Sequence, residues 1–154
     1  MMKPKRADRR AGGILKHHSL GLAVVGIVVV WIGLYAKSDP KTHLGSFFGN
    51  AIADWMGVVV AVIATKYFYE IGSSESRQPP VPIKGRILDL LKDHSLTLFL
   101  AATGLAWLWL YVKLDSESKW GQVAGNIVSE WTQQLGVVLL TKKLLEDRSK
   151  ESKK

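Results

Sequence analysis

Residues 43–66 read HLGSFFGNAIADWMGVVVAVIATK, and residues 119–142 read KWGQVAGNIVSEWTQQLGVVLLTK. The two stretches lie 76 positions apart. Gly45-x3-Gly49-Asn50 returns as Gly121-x3-Gly125-Asn126, Asp54-Trp55 as Glu130-Trp131, and Thr65-Lys66 as Thr141-Lys142. Between their ends, each stretch carries a single charge, an acid near its middle. Each is long enough to cross a bilayer, since a hydrocarbon core of about 30 Å needs about 20 helical residues. The likeness extends outward on both sides. Residues 15–76 align without a gap on residues 91–152, with 22 identities in 62 pairs. His18-Ser19-Leu20 matches His94-Ser95-Leu96, Trp31-x-x-Leu34-Tyr35 matches Trp107-x-x-Leu110-Tyr111, and Glu70 matches Glu146. A fixed period of this kind marks a duplicated unit.

A second apolar span precedes each of these stretches. Ser19–Ala36 and Ser95–Val112 run for 18 residues each without a charge. Backbone in lipid must satisfy its own hydrogen bonds, so all four runs should be helices. The sequence therefore predicts an all-α integral membrane protein, a four-helix bundle built from two tandem parallel helical-hairpin repeats. Each copy crosses twice, so both copies share one orientation about an axis along the membrane normal. The expected order is a basic tail at 1–14, then a hairpin repeat at 15–76 with spans at about 19–36 and 44–66. A linker at 77–90 follows, then a second hairpin repeat at 91–152 with spans at about 95–112 and 120–142. Ile83, Ile87, Leu90 and Leu91 share one helical face, which predicts a short helix on the membrane surface over 83–93. Ser19 and Ser95 stand where helix N-caps belong.

The net charge of +8 is unevenly placed. Only Lys37, Lys41, Lys113 and Lys119 lie between the spans of a hairpin, and the other 17 of the 21 Lys and Arg lie toward the tails and linker. The positive-inside rule then predicts a multi-pass protein of the cell inner (plasma) membrane with both termini cytoplasmic. Its basic tails should touch anionic headgroups. No aromatic residues interleave with the basic ones, which argues against nucleic acid as a partner. The absence of cysteine excludes disulfides, thiolate metal sites and thiol catalysis. The first span matches the third along its length, so it is expected to stay in the mature protein rather than act as a signal peptide.

A polar stripe distinguishes the second span of each copy. Ser46, Asn50 and Asp54 recur at intervals of four, as do Gln122, Asn126, Glu130 and Gln134. Residues so spaced share one helical face, and Thr65 and Thr141 return to it three turns later. Beside the stripe run small residues, with Gly45, Gly49, Gly121 and Gly125 as the expected helix-packing positions. Counting from Lys66, Asp54 lies about 12 Å below the far surface, close to the midplane. An acid there costs about 3 kcal/mol, and both copies keep one.

Two readings follow. In one, Asp54 and Glu130, with Asn50, Asn126 and Gln134 beside them, bind or conduct a cation or proton. In the other, the acids hydrogen-bond to a neighbouring helix and fix assembly, with Trp31 and Trp107 as donors at the right depth. Trp31, Tyr35, Trp107 and Tyr111 also suit an interfacial aromatic belt, while Trp55 and Trp131 lie too deep for one. His18 and His94 are candidates for holding a metal or haem if they face each other. Otherwise they are span-end histidines facing water. No nucleophile–base pair, phosphate loop or HExxH pattern is present, so neither enzymatic activity nor a cofactor is expected.

Asn126-x-x-Ser129-Glu130-x-x-Gln133, Val138-Leu139-Leu140-Thr141 and Ser149-x-Glu151-Ser152 form one pattern. The first copy keeps Asn50, Thr65 and Gly72-Ser73-x-Glu75-Ser76, with Ala53-Asp54 in place of Ser-Glu. This pattern resembles an uncharacterised family of small bacterial membrane proteins, usually of one hairpin. The resemblance implies a bacterial inner-membrane helical hairpin, here in tandem, and brings no activity with it. The expected partners are the lipid bilayer and either further copies of the chain or a larger membrane complex.

Overall fold

The computed structural model describes residues 6–76 and 86–144. They form five helices: α1 (Arg6–Lys37), α2 (His43–Tyr67), α3 (Arg86–Asp93), α4 (Ser95–Lys113) and α5 (Lys119–Leu140). No strand occurs among the described residues. Most of the linker, Ile83 and the Ser149-x-Glu151-Ser152 tail lie outside them.

Three helical stretches are long and apolar enough to cross a membrane: His17–Lys37, His43–Tyr67 and Ser95–Lys113. The expected fourth span, α5, is also long enough at 22 residues. Its composition sets it apart, because Asn126, Glu130, Thr132, Gln133 and Gln134 crowd its middle. Helix α1 begins at Arg6, inside the expected basic tail. Ser19 is therefore an interior helical residue and not the N-cap the sequence suggested.

The two hairpin turns are built alike. Thr42 and Ser118 are the N-caps of α2 and α5, accepting from the amides of Gly45 (3.1 Å) and Gly121 (3.0 Å). Each hydroxyl also donates back to a carbonyl, that of Asp39 (2.8 Å) or Asp115 (2.6 Å). A Cβ on Gly45 or Gly121 would collide with that same carbonyl. These two glycines thus serve the turns, not the helix–helix approach expected of them. Gly49 and Gly125 do serve close packing. A Cβ on either would stand 3.0 Å from the ring of Tyr35 or Tyr111 on the neighbouring helix of its hairpin.

Helix α1 packs on α2, α4 packs on α5, and α2 packs on α5 between them. The core gathers Tyr35, Ile52, Leu100, Val123, Ile127 and Trp131. Leu20, Val29 and Val30 on α1, and Leu105, Trp109 and Val112 on α4, point outward and are exposed. Apolar faces this extensive are covered by lipid or by a partner. Helix α3 leaves Ile87, Leu88, Leu90 and Leu91 exposed, which suits a helix lying on a membrane surface. Residues Val60–Ala64 of α2 form a π-helical turn, and α5 contains none. The two stretches align without a gap but are not wound alike.

Candidate functional site

The α2–α5 contact brings the polar stripes together. Asn126 Nδ2 donates to Asn50 Oδ1 at 2.6 Å, joining two residues 76 positions apart. One turn along, Asp54 is exposed, with no hydrogen bond or ion pair among the described residues. Glu130 is half-buried and accepts from Gln133 Nε2 at 3.2 Å. Its other carboxylate oxygen lies over Gly57 of α2, where a Cβ would come within 2.9 Å of it and 3.5 Å of Gln134 Nε2. The missing side chain at Gly57 is what lets Glu130 and Gln134 reach across the seam. Ser46 and Gln122, farther along, are exposed. Asn50, Asn126, Glu130 and Gln134 thus gather on one seam, with Asp54 at its open side.

The expected tryptophan donors are placed elsewhere. Trp31 packs against Phe47 and Phe48, and its buried indole N–H has no hydrogen-bond partner among the described residues. Trp107 lies against the Trp131 ring at 6.1 Å. No hydrogen bond runs from Trp31 or Trp107 to either acid. Trp131 finds a different acceptor. Its Nε1 donates to Thr103 Oγ1 at 2.7 Å, and the Thr103 hydroxyl donates in turn to the Phe99 carbonyl at 2.7 Å. The ring rests on Gly104. This deep tryptophan ties α4 to α5.

A second polar cluster lies past the basic end of α2, and the sequence reading did not assign it. Glu70 is completely buried. Its Oε1 accepts from His94 Nδ1 at 2.7 Å and pairs with the Lys142 ammonium. Its Oε2 accepts from the Thr97 amide at 3.1 Å, and its own amide donates to Ser76 Oγ at 2.8 Å. The chain after α2 also supplies acceptors to the start of α4. The Leu96 amide donates to the Tyr69 carbonyl at 2.9 Å. Ser95 Oγ accepts from the Tyr69 amide (2.8 Å) and donates to the Tyr69 carbonyl (3.1 Å).

Ser95 is therefore not the N-cap of α4 either. His94 holds that position and makes no capping bond of its own. Tyr69 and Glu70 satisfy the first amides of α4 in its place, and a carboxylate there also meets the positive end of the helix dipole. Burial raises the Glu70 carboxyl pKa. Hydrogen bonds from Lys142, Thr97 and His94 outweigh it and hold the group below the ordinary carboxylate range. Ser73 Oγ meets Thr141 Oγ1 at 2.9 Å, so this segment fastens the end of α5 as well.

His18 and His94 have different neighbours. His18 Nδ1 lies 3.2 Å from Lys66 Nζ, while His94 Nδ1 is engaged by Glu70. No group of three His, Cys, Asp or Glu that could hold a metal occurs among the described residues. The sequence did mark three members of the Glu70 cluster, since Glu70, His94 and Lys142 all match at the offset of 76. They lie at or beyond the span ends, away from the polar stripe, and of the three only His94 reads as a candidate site residue.

Comparison with family models, curated proteins and solved structures finds no match. The chemistry of the two clusters is the remaining guide. Every hydrogen-bonding oxygen of Glu70 is occupied, which suits a fastening. The seam offers two carboxylates, one of them exposed, which is the makings of a cation or proton site.

Proposed function

We propose that this chain is a non-enzymatic, multi-pass membrane protein whose α2–α5 seam binds a cation or proton and passes it across the bilayer, between copies assembled along that seam. In this reading α5 crosses beside the three apolar helices and completes a four-helix bundle of two tandem hairpins. The chain is then a duplicated version of the single-hairpin family its motifs resemble. The basic tails lie on the cytoplasmic side of a bacterial inner membrane.

One observation carries the proposal. Asp54 is a mid-span acid that is exposed and has no bond among the described residues, beside a second acid across the seam. A carboxylate facing hydrocarbon costs about 3 kcal/mol on insertion scales. That cost disappears if the face meets water, a cation or the polar seam of another copy. Flux into liposomes loaded with a pH dye or a cation dye tests the proposal, with Asp54→Asn and Glu130→Gln as variants. Flux in the wild type that both variants abolish is expected. A wild type silent to protons, monovalent and divalent cations would rule transport out.

The Asn50–Asn126 bond favours a second reading, in which the seam is a helix fastening within a larger complex. Amide variants of the acids should then assemble normally, while Asp54→Leu should not.

A further inference from the structure

Helix α3 is turned the opposite way from a helix folded for water. At 3.6 residues per turn, Ile87, Leu88, Leu90 and Leu91 fall on one arc, and Asp89, Lys92 and Asp93 on the other. The apolar arc is the exposed one, with Ile87 open over 75% of its surface. Asp89, Lys92 and Asp93 are half-buried. A surface helix of a water-soluble domain has its apolar stripe inward and its charges outward.

The chain sets the depth of that arc. Helix α3 ends at Asp93, and α4, long and apolar enough to cross a membrane, begins at Ser95. His94 between them leaves helical geometry, at φ −119° and ψ 17°. A one-residue break at the end of a crossing puts α3 at the level of the headgroups. An amphipathic helix there lies in the interfacial layer with its apolar face toward the acyl chains. On its polar arc, Asp89 and Asp93 stand against Lys92, a balance that does not call for an anionic lipid. The occupant that fits the apolar arc is hydrocarbon at the headgroup boundary.

The same join carries the Glu70 fastening. Asp93 O accepts from Ile71 N–H at 2.7 Å, and Leu90 O accepts from His94 N–H at 3.2 Å. His94 Nδ1 donates to Glu70 Oε1 at 2.7 Å. Glu70 and Ile71 are thus held by His94 and Asp93, the two residues where α3 gives way to α4. A displacement of α3 pulls on both bonds.

We infer that α3 seats its apolar face in the interfacial layer of the membrane, on the side where α2 ends and α4 begins, and that this seat holds the Glu70 fastening closed. The inference rests on α4 crossing the bilayer and not on transport through the seam.

Single cysteines in this cysteine-free chain carry the test. The full chain, in phosphatidylcholine vesicles, bears a nitroxide at Leu88→Cys, at Leu105→Cys on α4, or at Glu117→Cys in the second hairpin turn. Oxygen partitions into lipid and a nickel chelate into water, so their collisions with the nitroxide read its surroundings. The Leu88 label should meet oxygen as the Leu105 label does and be shielded from nickel relative to the Glu117 label. A Leu88 label as open to nickel as the Glu117 label overturns the inference. So does one that meets neither reagent, which would put protein over the arc, from this chain or a second copy. A Leu105 label open to nickel would end the membrane reading itself, and the inference with it. Ile87→Gln/Leu91→Gln should release the Leu88 label to nickel. In the unlabelled chain, ¹⁵N NMR should find His94 Nδ1 protonated in the wild type and that state lost in the same double variant. An unchanged His94 in a variant whose α3 has left the membrane overturns the hold on the fastening. A variant helix that stays seated overturns the apolar arc as the seat.

Discussion

The Glu70 cluster and the α2–α5 seam are the two places where this molecule puts acids among apolar helices, and they are built on opposite terms. Glu70 is fully buried and bonded to His94, Thr97 and Lys142. Among the described residues, Asp54 is exposed and unbonded, and Glu130 has one side-chain bond, at 3.2 Å. A buried charge is tolerated when its partners are complete, and removing one partner is then costly. An incomplete site contributes little to folding and keeps its valence for something else. The cluster at the helix ends is thus a fastening, and the acid pair on the seam is where the proposed exchange would take place.

Breaking the fastening should have the largest effect. Glu70→Ala strands Lys142, His94 and the Thr97 amide together and should cost about 3 kcal/mol. Reversible denaturation in mixed micelles measures it, and a wild-type midpoint would remove Glu70 from its structural role. Acid sharpens the point. The folded pKa of Glu70 is depressed, so its contribution is complete above the ordinary carboxylate value of about 4.3 and is lost as pH falls below it. Glu70→Gln should flatten that acid limb of the stability profile.

The turns come next. Gly45→Ala and Gly121→Ala set a methyl against a backbone carbonyl that cannot swing away, and each should lose about 2 kcal/mol. Gly26→Ala and Gly33→Ala meet nothing within 4 Å and should be neutral or slightly stabilising. Equal losses at all four glycines would mean that the turn contact is not what Gly45 and Gly121 are kept for.

Both acid sites were visible in the sequence to different degrees. A period of four put Asn50 and Asp54 on one face and Asn126 and Glu130 on another, and the Asn126–Asn50 hydrogen bond joins those faces, which the period alone did not say. Periodicity cannot say which small residue faces a helix and which faces a turn, so Gly45 and Gly49 looked equivalent. It also cannot show that the first amides of α4 are capped from the chain after α2. Ser19 and Ser95 have the residue type of a cap, but one lies inside a longer helix and the other binds Tyr69. Helix α5 shows a related limit. Its length reads as a crossing, while the residues that make its seam are those that dilute its apolar character.

A smaller effect tests a single bond on the α4–α5 side. Trp131→Phe keeps the ring on Gly104 and removes the donor to Thr103 Oγ1. One neutral hydrogen bond contributes about 1 kcal/mol, and the same micelle denaturation should show that loss. Thr103→Val alone should match it, and the double variant should add little more, since both changes remove one interaction.

The smallest stability change should come from the seam acids, and that near-absence is the sharpest form of the comparison. Asp54→Asn removes a charge that no described residue pairs with, and the amide keeps its shape. Glu130→Gln can still meet Gln133. Neutralising an acid at mid-span depth also relieves part of an insertion cost of about 3 kcal/mol. Both variants should therefore denature at or above the wild-type midpoint, where Glu70→Gln falls well below it. If transport is the function, they do so while losing flux, and the two acid sites separate into one that moves the midpoint and one that moves the ion. A fall in midpoint for Asp54→Asn as deep as that for Glu70→Gln would erase the distinction and make the seam a second fastening.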